Sequence, residues 1–185
     1  APDPAGRFGG ALRVSGNGAV RFVPSETFSG GSVSIEAWAK LEKQGMKKLV
    51  FDLRANPGGL LDQAIAVSDF FLRKGEKVVI TRGRAAGSEQ TFTAPGRNSR
   101  ARIPVVVLIN KGSASAAEIV AGAIQDQDRG IVAGQTSWGK GLVQSVYTLS
   151  EGAGLALTTA KYYTPSGRCI QRDYREFIEY VAPDD

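Results

Sequence analysis

The 185-residue chain contains no histidine. That absence removes Ser-His-Asp triads, Cys-His pairs and imidazole metal ligands, so any catalysis must use other bases. Its single cysteine, Cys169, permits neither an internal disulfide nor a thiolate zinc cluster, and leaves the redox compartment unread. No apolar run approaches the roughly 18 residues of a membrane span, and no charged-then-apolar leader opens at Ala1. The sequence therefore predicts neither stable membrane insertion nor an uncleaved signal peptide. Aromatics are scarce where a nucleic-acid reader would need them. Arg82, Arg84, Arg97, Arg100 and Arg102 are interleaved with Phe92 alone and relieved by Glu89, the pattern of a solvated loop.

What is present suits one domain with a substantial core: 42% of residues are hydrophobic and 22% charged. A net charge of +5 permits acidic partners without demanding one. Residues 1–17, rich in Gly, Pro and Ala, read as an irregular lead-in, 18–170 as the core domain, and 171–185 as a tail with a possible short helix at 174–181. Within the core, Ala19 to Val23 reads as a short strand. Ile35, Trp38 and Leu41 recur at helical spacing over 33–44, with Gly45 as the stop. Leu49 to Leu53 forms a buried strand broken by Pro57-Gly58-Gly59, and Leu60 to Lys74 keeps a helical period up to Gly75. Lys77 to Thr81 is strand-like, 83–102 is the least regular stretch with a short strand at 91–93, and Val105 to Ile109 is a buried strand. A helix to about Gln127 follows, then a strand at 131–133, a loop at 134–141, and two strands, 142–149 and 155–163, joined through Glu151-Gly152-Ala153-Gly154. This alternation predicts an α/β domain with mainly parallel strands and a C-terminal antiparallel ribbon.

In parallel sheets, ligands gather beyond the carboxyl ends of strands, where helix N-termini offer free amides. Two such junctions stand out: Asp52 to Gly59, whose glycines expose backbone amides, and Asn110 to Glu118, where Ser115 sits at a helix start. Each also has a plain structural reading, a tight turn in the first case and a Ser115/Glu118 capping box in the second. Gly134 to Lys140 matches the spacing of a phosphate loop. However, Gly141 stands where a magnesium-holding Ser or Thr belongs, and a strand follows where that loop needs a helix. Lys140 is then either a surface charge or a base. At an ordinary value near ~10.4, fewer than about one lysine in a thousand is neutral at pH 7, so a lysine base needs a dry setting. Trp138 could shield it and Gln144 could orient it, provided the chain curls at Gly139 or Gly141 to bring residues about 13 Å apart on a flat strand together.

Four segments, in order, resemble the carboxy-terminal-processing, or tail-specific, proteases. They are Gln44 to Arg54 leading into Asn56-Pro57-Gly58-Gly59, Gly112 to Ala116 with Glu118, Trp138-Gly139-Lys140-Gly141 with Gln144, and Thr159 to Arg168. The resemblance covers roughly Lys40 to Gln171. It implies a core similar to the Clp protease/crotonase fold and a Ser-Lys dyad, with Ser115 as nucleophile, Lys140 as base and Gln144 as the residue orienting it. Ser113 is left structural, and the oxyanion donors are the backbone N–H groups of Gly58, Gly59 and Ala116. It further implies an endopeptidase acting on unstructured or C-terminal polypeptide through an acyl-enzyme, with no metal or other cofactor, in the cell envelope, periplasm or an equivalent exported compartment. The usual upstream PDZ module is expected to be absent, because too few residues precede Ala19 to form one. The alternatives are a non-catalytic peptide-binding scaffold of the same fold and a nucleotide-binding switch.

Overall fold

The computed structural model describes residues 10–14, 19–24, 46–97 and 102–173. The helices expected at 33–44 and 174–181 lie outside them. The first sheet contains β1 (Gly10–Val14), β2 (Ala19–Pro24), β3 (Lys48–Asp52), β6 (Val105–Ile109) and β7 (Ile131–Gly134) in the order β1-β2-β3-β6-β7. β1 runs antiparallel to β2, and the remaining pairs are parallel. The irregular lead-in expected up to residue 17 thus includes a strand: Gly10 to Val14 pair with Pro24 to Val20. β6 is flanked by β3 and β7, and such an inner strand of a parallel sheet suits its unbroken Val-Val-Val-Leu-Ile run.

Two helices follow the strands that frame the site. The first, α1 (Leu61–Ser68), ends six residues before the expected Lys74. Beyond it the chain turns tightly, with Phe71 and Leu72 both donating to the Ser68 carbonyl, and Phe70, Phe71 and Leu72 are all buried. Successive helical residues fan out by about 100°, so three consecutive core residues cannot share one helix face, and the turn resolves that conflict. The second helix, α2 (Ala116–Asp126), buries nearly every side chain from Ala116 to Ile124 and packs on α1. The rings of Phe51 and Phe71 meet at 5.6 Å, and Leu53, Leu72, Val107 and Ile124 are almost fully enclosed. Each such side chain contributes about 1.5–3 kcal/mol on burial.

The largest departure from the expected topology is β4 (Lys77–Gly83), which leaves the parallel series. It pairs antiparallel with β5 (Gln90–Thr93) and β9 (Gly154–Tyr163), and β8 (Leu142–Thr148) completes a second sheet in the order β5-β4-β9-β8. The expected ribbon is therefore the edge of a four-stranded antiparallel sheet, and the short strand in the irregular 83–102 stretch belongs to it. A 3₁₀ turn, Ser150–Gly152, links β8 to β9. Buried Arg129 ties the turn after α1 to the segment leading into β6 through hydrogen bonds to the Phe71 and Ile103 carbonyls at 2.8 and 3.0 Å. Burial is the first influence on its guanidinium, and with repulsion from Arg102 it lowers the pKa against the opposing pull of Glu76.

Candidate active site

β3 and β6 are neighbours, with Asp52 opposite Leu108, so the loops leaving their carboxyl ends lie side by side. At the end of β3, buried Asp52 holds Arg54 through a two-pronged contact, 2.9 Å from Nε and 2.7 Å from Nη2. The two loops are sewn together by polar side chains, of which Asn56 and Ser113 are buried. The Asn110 Oδ1 accepts the Ala55 and Gly112 amides at 2.8 and 3.0 Å. Ser113, fully buried, donates its hydroxyl to the Leu53 carbonyl at 2.7 Å, which occupies it structurally. Asn56 accepts the Ala114 amide on its carbonyl at 2.9 Å and the Gly58 amide on its Oδ1 at 2.8 Å.

Gly58 sits against the Ser115 turn at a distance no side chain would allow. A Cβ there would lie 2.5 Å from the Ala114 carbonyl oxygen and 2.6 Å from the Ala116 nitrogen, and its φ is +92. Ser115 itself has φ 53 and ψ −117, a conformation L-residues rarely adopt, at the entry to α2. A serine held on a strained strand-to-helix turn is pushed forward from the sheet, toward amides at the helix start. Ser115 is half-buried. Of the three expected oxyanion donors, the Gly58 N–H already serves Asn56.

The Trp138-Gly139-Lys140-Gly141 segment docks beside this turn. The Trp138 amide donates to the Ser113 carbonyl at 2.9 Å. Glu118, 6% exposed, accepts the Ser115 amide at 2.8 Å, the Ser137 hydroxyl at 2.6 Å, the Gly139 amide at 2.7 Å and the Lys140 amide at 2.8 Å. On its other flank the segment packs against residues 171–172. The Arg172 amide donates to the Gly139 carbonyl at 3.0 Å, and the Gly141 amide to Gln171 Oε1 at 3.0 Å. Gly139 has φ 85, and a Cβ on it would come within 2.7 Å of Arg172 Cβ, so this position requires glycine. The strand that follows is β8, not the helix a phosphate loop requires.

The dry setting anticipated for the lysine is not met in this structure. Lys140 is exposed, Trp138 is 53% exposed, and Gln144, on β8 next to a register shift, is exposed as well. The physical reason lies in the backbone. The Trp138, Gly139 and Lys140 amides are held on Ser113 and Glu118, which anchors the backbone of the segment and places no apolar cover over the Lys140 side chain. The Ser115 and Lys140 segments therefore meet through Glu118 and Ser113. Among the described residues no cluster of three Cys, Asp or Glu side chains could hold a metal ion. Sequence reasoning took Glu118 for a helix cap and passed over Asn56, Asn110 and Gln171. Asparagines straight after buried strands are the signal that could have found the first two.

The peptidase family S41 model matches residues 17–184. The chain belongs to peptidase family S41. Among curated proteins, this S41 chain is 49% identical over 163 residues to a carboxy-terminal-processing protease of Bartonella bacilliformis, a match covering 86% of this chain and 37% of the relative. It is 44% identical over 133 residues to a carboxyl-terminal-processing protease of Synechocystis, covering 72% and 30% respectively. The photosystem II D1 C-terminal processing protease superposes with a TM-score of 0.72 at 38% identity, covering 83% of this chain and 39% of that one. A putative peptidase from Parabacteroides merdae, at 18% identity and TM-score 0.70, shares the fold. The S41 chain spans about a third of the length of the curated relatives it matches.

Proposed function

We propose that this chain carries the catalytic core of a carboxy-terminal-processing serine endopeptidase, of Clp protease/crotonase type, working through a Ser115–Lys140 dyad. The observation that carries the reading is Ser115 itself, at φ 53 on the turn into α2 with the Gly58 backbone pressed against it. Neutral Lys140 takes the Ser115 hydroxyl proton as Oγ bonds to a peptide carbonyl carbon. The resulting oxyanion is held by the amides of Gly59 and Ala116, while Gly58, bonded to Asn56, supports the turn between them. Collapse breaks the C–N bond, and the lysine ammonium returns its proton to the departing amine. Water, deprotonated by the same lysine, then attacks the ester and frees Ser115. Gln144 orients the lysine amine.

Lys140 is exposed in the free chain, so the bound polypeptide supplies the water exclusion that favours a neutral amine. The substrates are unstructured or C-terminal polypeptide segments, in keeping with the printed names of the relatives. Those relatives, together with a chloroplastic C-terminal processing peptidase of Tetradesmus obliquus, also favour an exported or lumenal compartment.

The test is cleavage of an unstructured polypeptide by the chain and by its Ser115→Ala and Lys140→Ala variants, with and without chelator. The reading predicts kcat losses of about 10³-fold or more in both variants and no effect of chelator. Equal activity in all three proteins would refute it.

A further inference from the structure

Glu118 holds a position that neither helix capping nor the dyad explains. Capping requires one bond from its carboxylate, to the Ser115 amide. The same carboxylate takes three more donors, all from the segment that carries Lys140: the Ser137 hydroxyl and Gly139 amide on Oε1, and the Lys140 amide on Oε2 beside that of Ser115. One oxygen thus receives the backbone amides of both proposed dyad members, 2.8 Å from each. The group is 6% exposed, so its charge is solvated chiefly by these donors and not by bulk water. The lysine segment has other anchors, the Trp138 amide on Ser113 and the Gly139 and Gly141 backbone on residues 171–172. Among the described residues, Glu118 is what links it directly to the nucleophile's own amide.

We propose that Glu118 is a positioning residue that fixes the Lys140 backbone relative to Ser115, so that a lysine rotamer change alone completes the dyad. This rests on the dyad reading, but the clasp can be judged separately. Glu118→Gln is close in shape yet replaces one acceptor with an NH2 group that must face N–H or O–H donors, breaking one side of the clasp. A misplacement of about 1 Å near reacting groups costs on the order of 10²-fold. The expected result is a kcat loss of that order with KM within about twofold, and faster amide exchange at Gly139 and Lys140. The rate at which a serine-directed phosphonate modifies Ser115 should fall in parallel, but not further when Glu118→Gln is added to Lys140→Ala, because the two act as one unit.

Ser137→Ala removes one donor and leaves the cap intact. It provides a milder variant should Glu118→Gln fold poorly, with an expected kcat loss of about 3–10-fold and the same non-additivity. A Glu118→Gln or Ser137→Ala protein with kcat and amide exchange unchanged would overturn the proposal. So would an equal loss of phosphonylation rate in the parent and Lys140→Ala backgrounds. Full activity in Lys140→Ala would instead remove the dyad reading, and amide exchange would still decide whether Glu118 clasps the loop.

Discussion

At the scale of single residues, the site is governed by where side chains cannot go. Ser115 tolerates a positive φ at a cost of about 1–3 kcal/mol because the surrounding loops leave it no alternative. Those loops close only if residue 58 lacks a Cβ, since one would overlap the Ala114 carbonyl and the Ala116 amide. Gly58→Ala is therefore expected to lower kcat by about 10²–10³-fold, the range for losing an oxyanion donor, because relieving the clash moves the proposed donors Gly59 and Ala116 apart. Steady-state kinetics beside a thermal melt will check this, and a variant with parental kcat would show that the turn does not shape the site. Much at this scale was legible in sequence. Pro57-Gly58-Gly59 and Ser115 stood out at the ends of two buried strands, each with a plain alternative as a tight turn or a capping box, and the structure brings those two turns into contact. The state of the Lys140 side chain was not. Its exposure depends on how the segment docks, and that backbone is anchored by Glu118 and Ser113, distant in sequence.

At the scale of elements, α2 links the site to the second sheet. Its last residue, Asp126, with a side chain only 5% exposed, receives the Ser166 amide at 2.9 Å and hydroxyl at 2.6 Å and pairs with Arg168, in the turn that follows β9. Burial by itself would raise the Asp126 pKa, but hydrogen bonds from Ser166, Thr164 and Arg168 outweigh it and hold the carboxyl below its ordinary range. The folded value lies below the unfolded one, near ~3.9, so the stabilisation is complete above that pH and is lost as pH falls through the folded value. Urea midpoints measured from pH 6 to pH 2 should fall less steeply for Asp126→Asn than for the parent. Identical slopes would show that the contact contributes nothing. The strand-helix alternation was legible because β3, β6 and α2 each carry an uninterrupted apolar pattern. The departure of β4 into an antiparallel sheet was not. Val78, Val79 and Ile80 are equally suited to burial in either sheet, and only partners at residues 90–93 and 160–163 decide between them. The early end of α1 was hidden for a similar reason, since Phe70, Phe71 and Leu72 are as apolar in a turn as in a helix.

At the scale of the whole molecule, the sheets and helices of the described residues place three distant stretches, 55–59, 113–118 and 137–141, around one serine. The core that does so is dominated by Leu53, Val107, Val120 and Ile124, side chains with no chemistry of their own. Family membership follows from a match over residues 17–184, while the chain's own activity rests on whether that assembly is productive. Modification by a serine-directed phosphonate, followed by intact mass and peptide mapping, tests this most directly. The account predicts one adduct, on Ser115, formed at a rate that falls by orders of magnitude in Lys140→Ala. An adduct on another serine, or equal rates with and without the Lys140 amine, would contradict it.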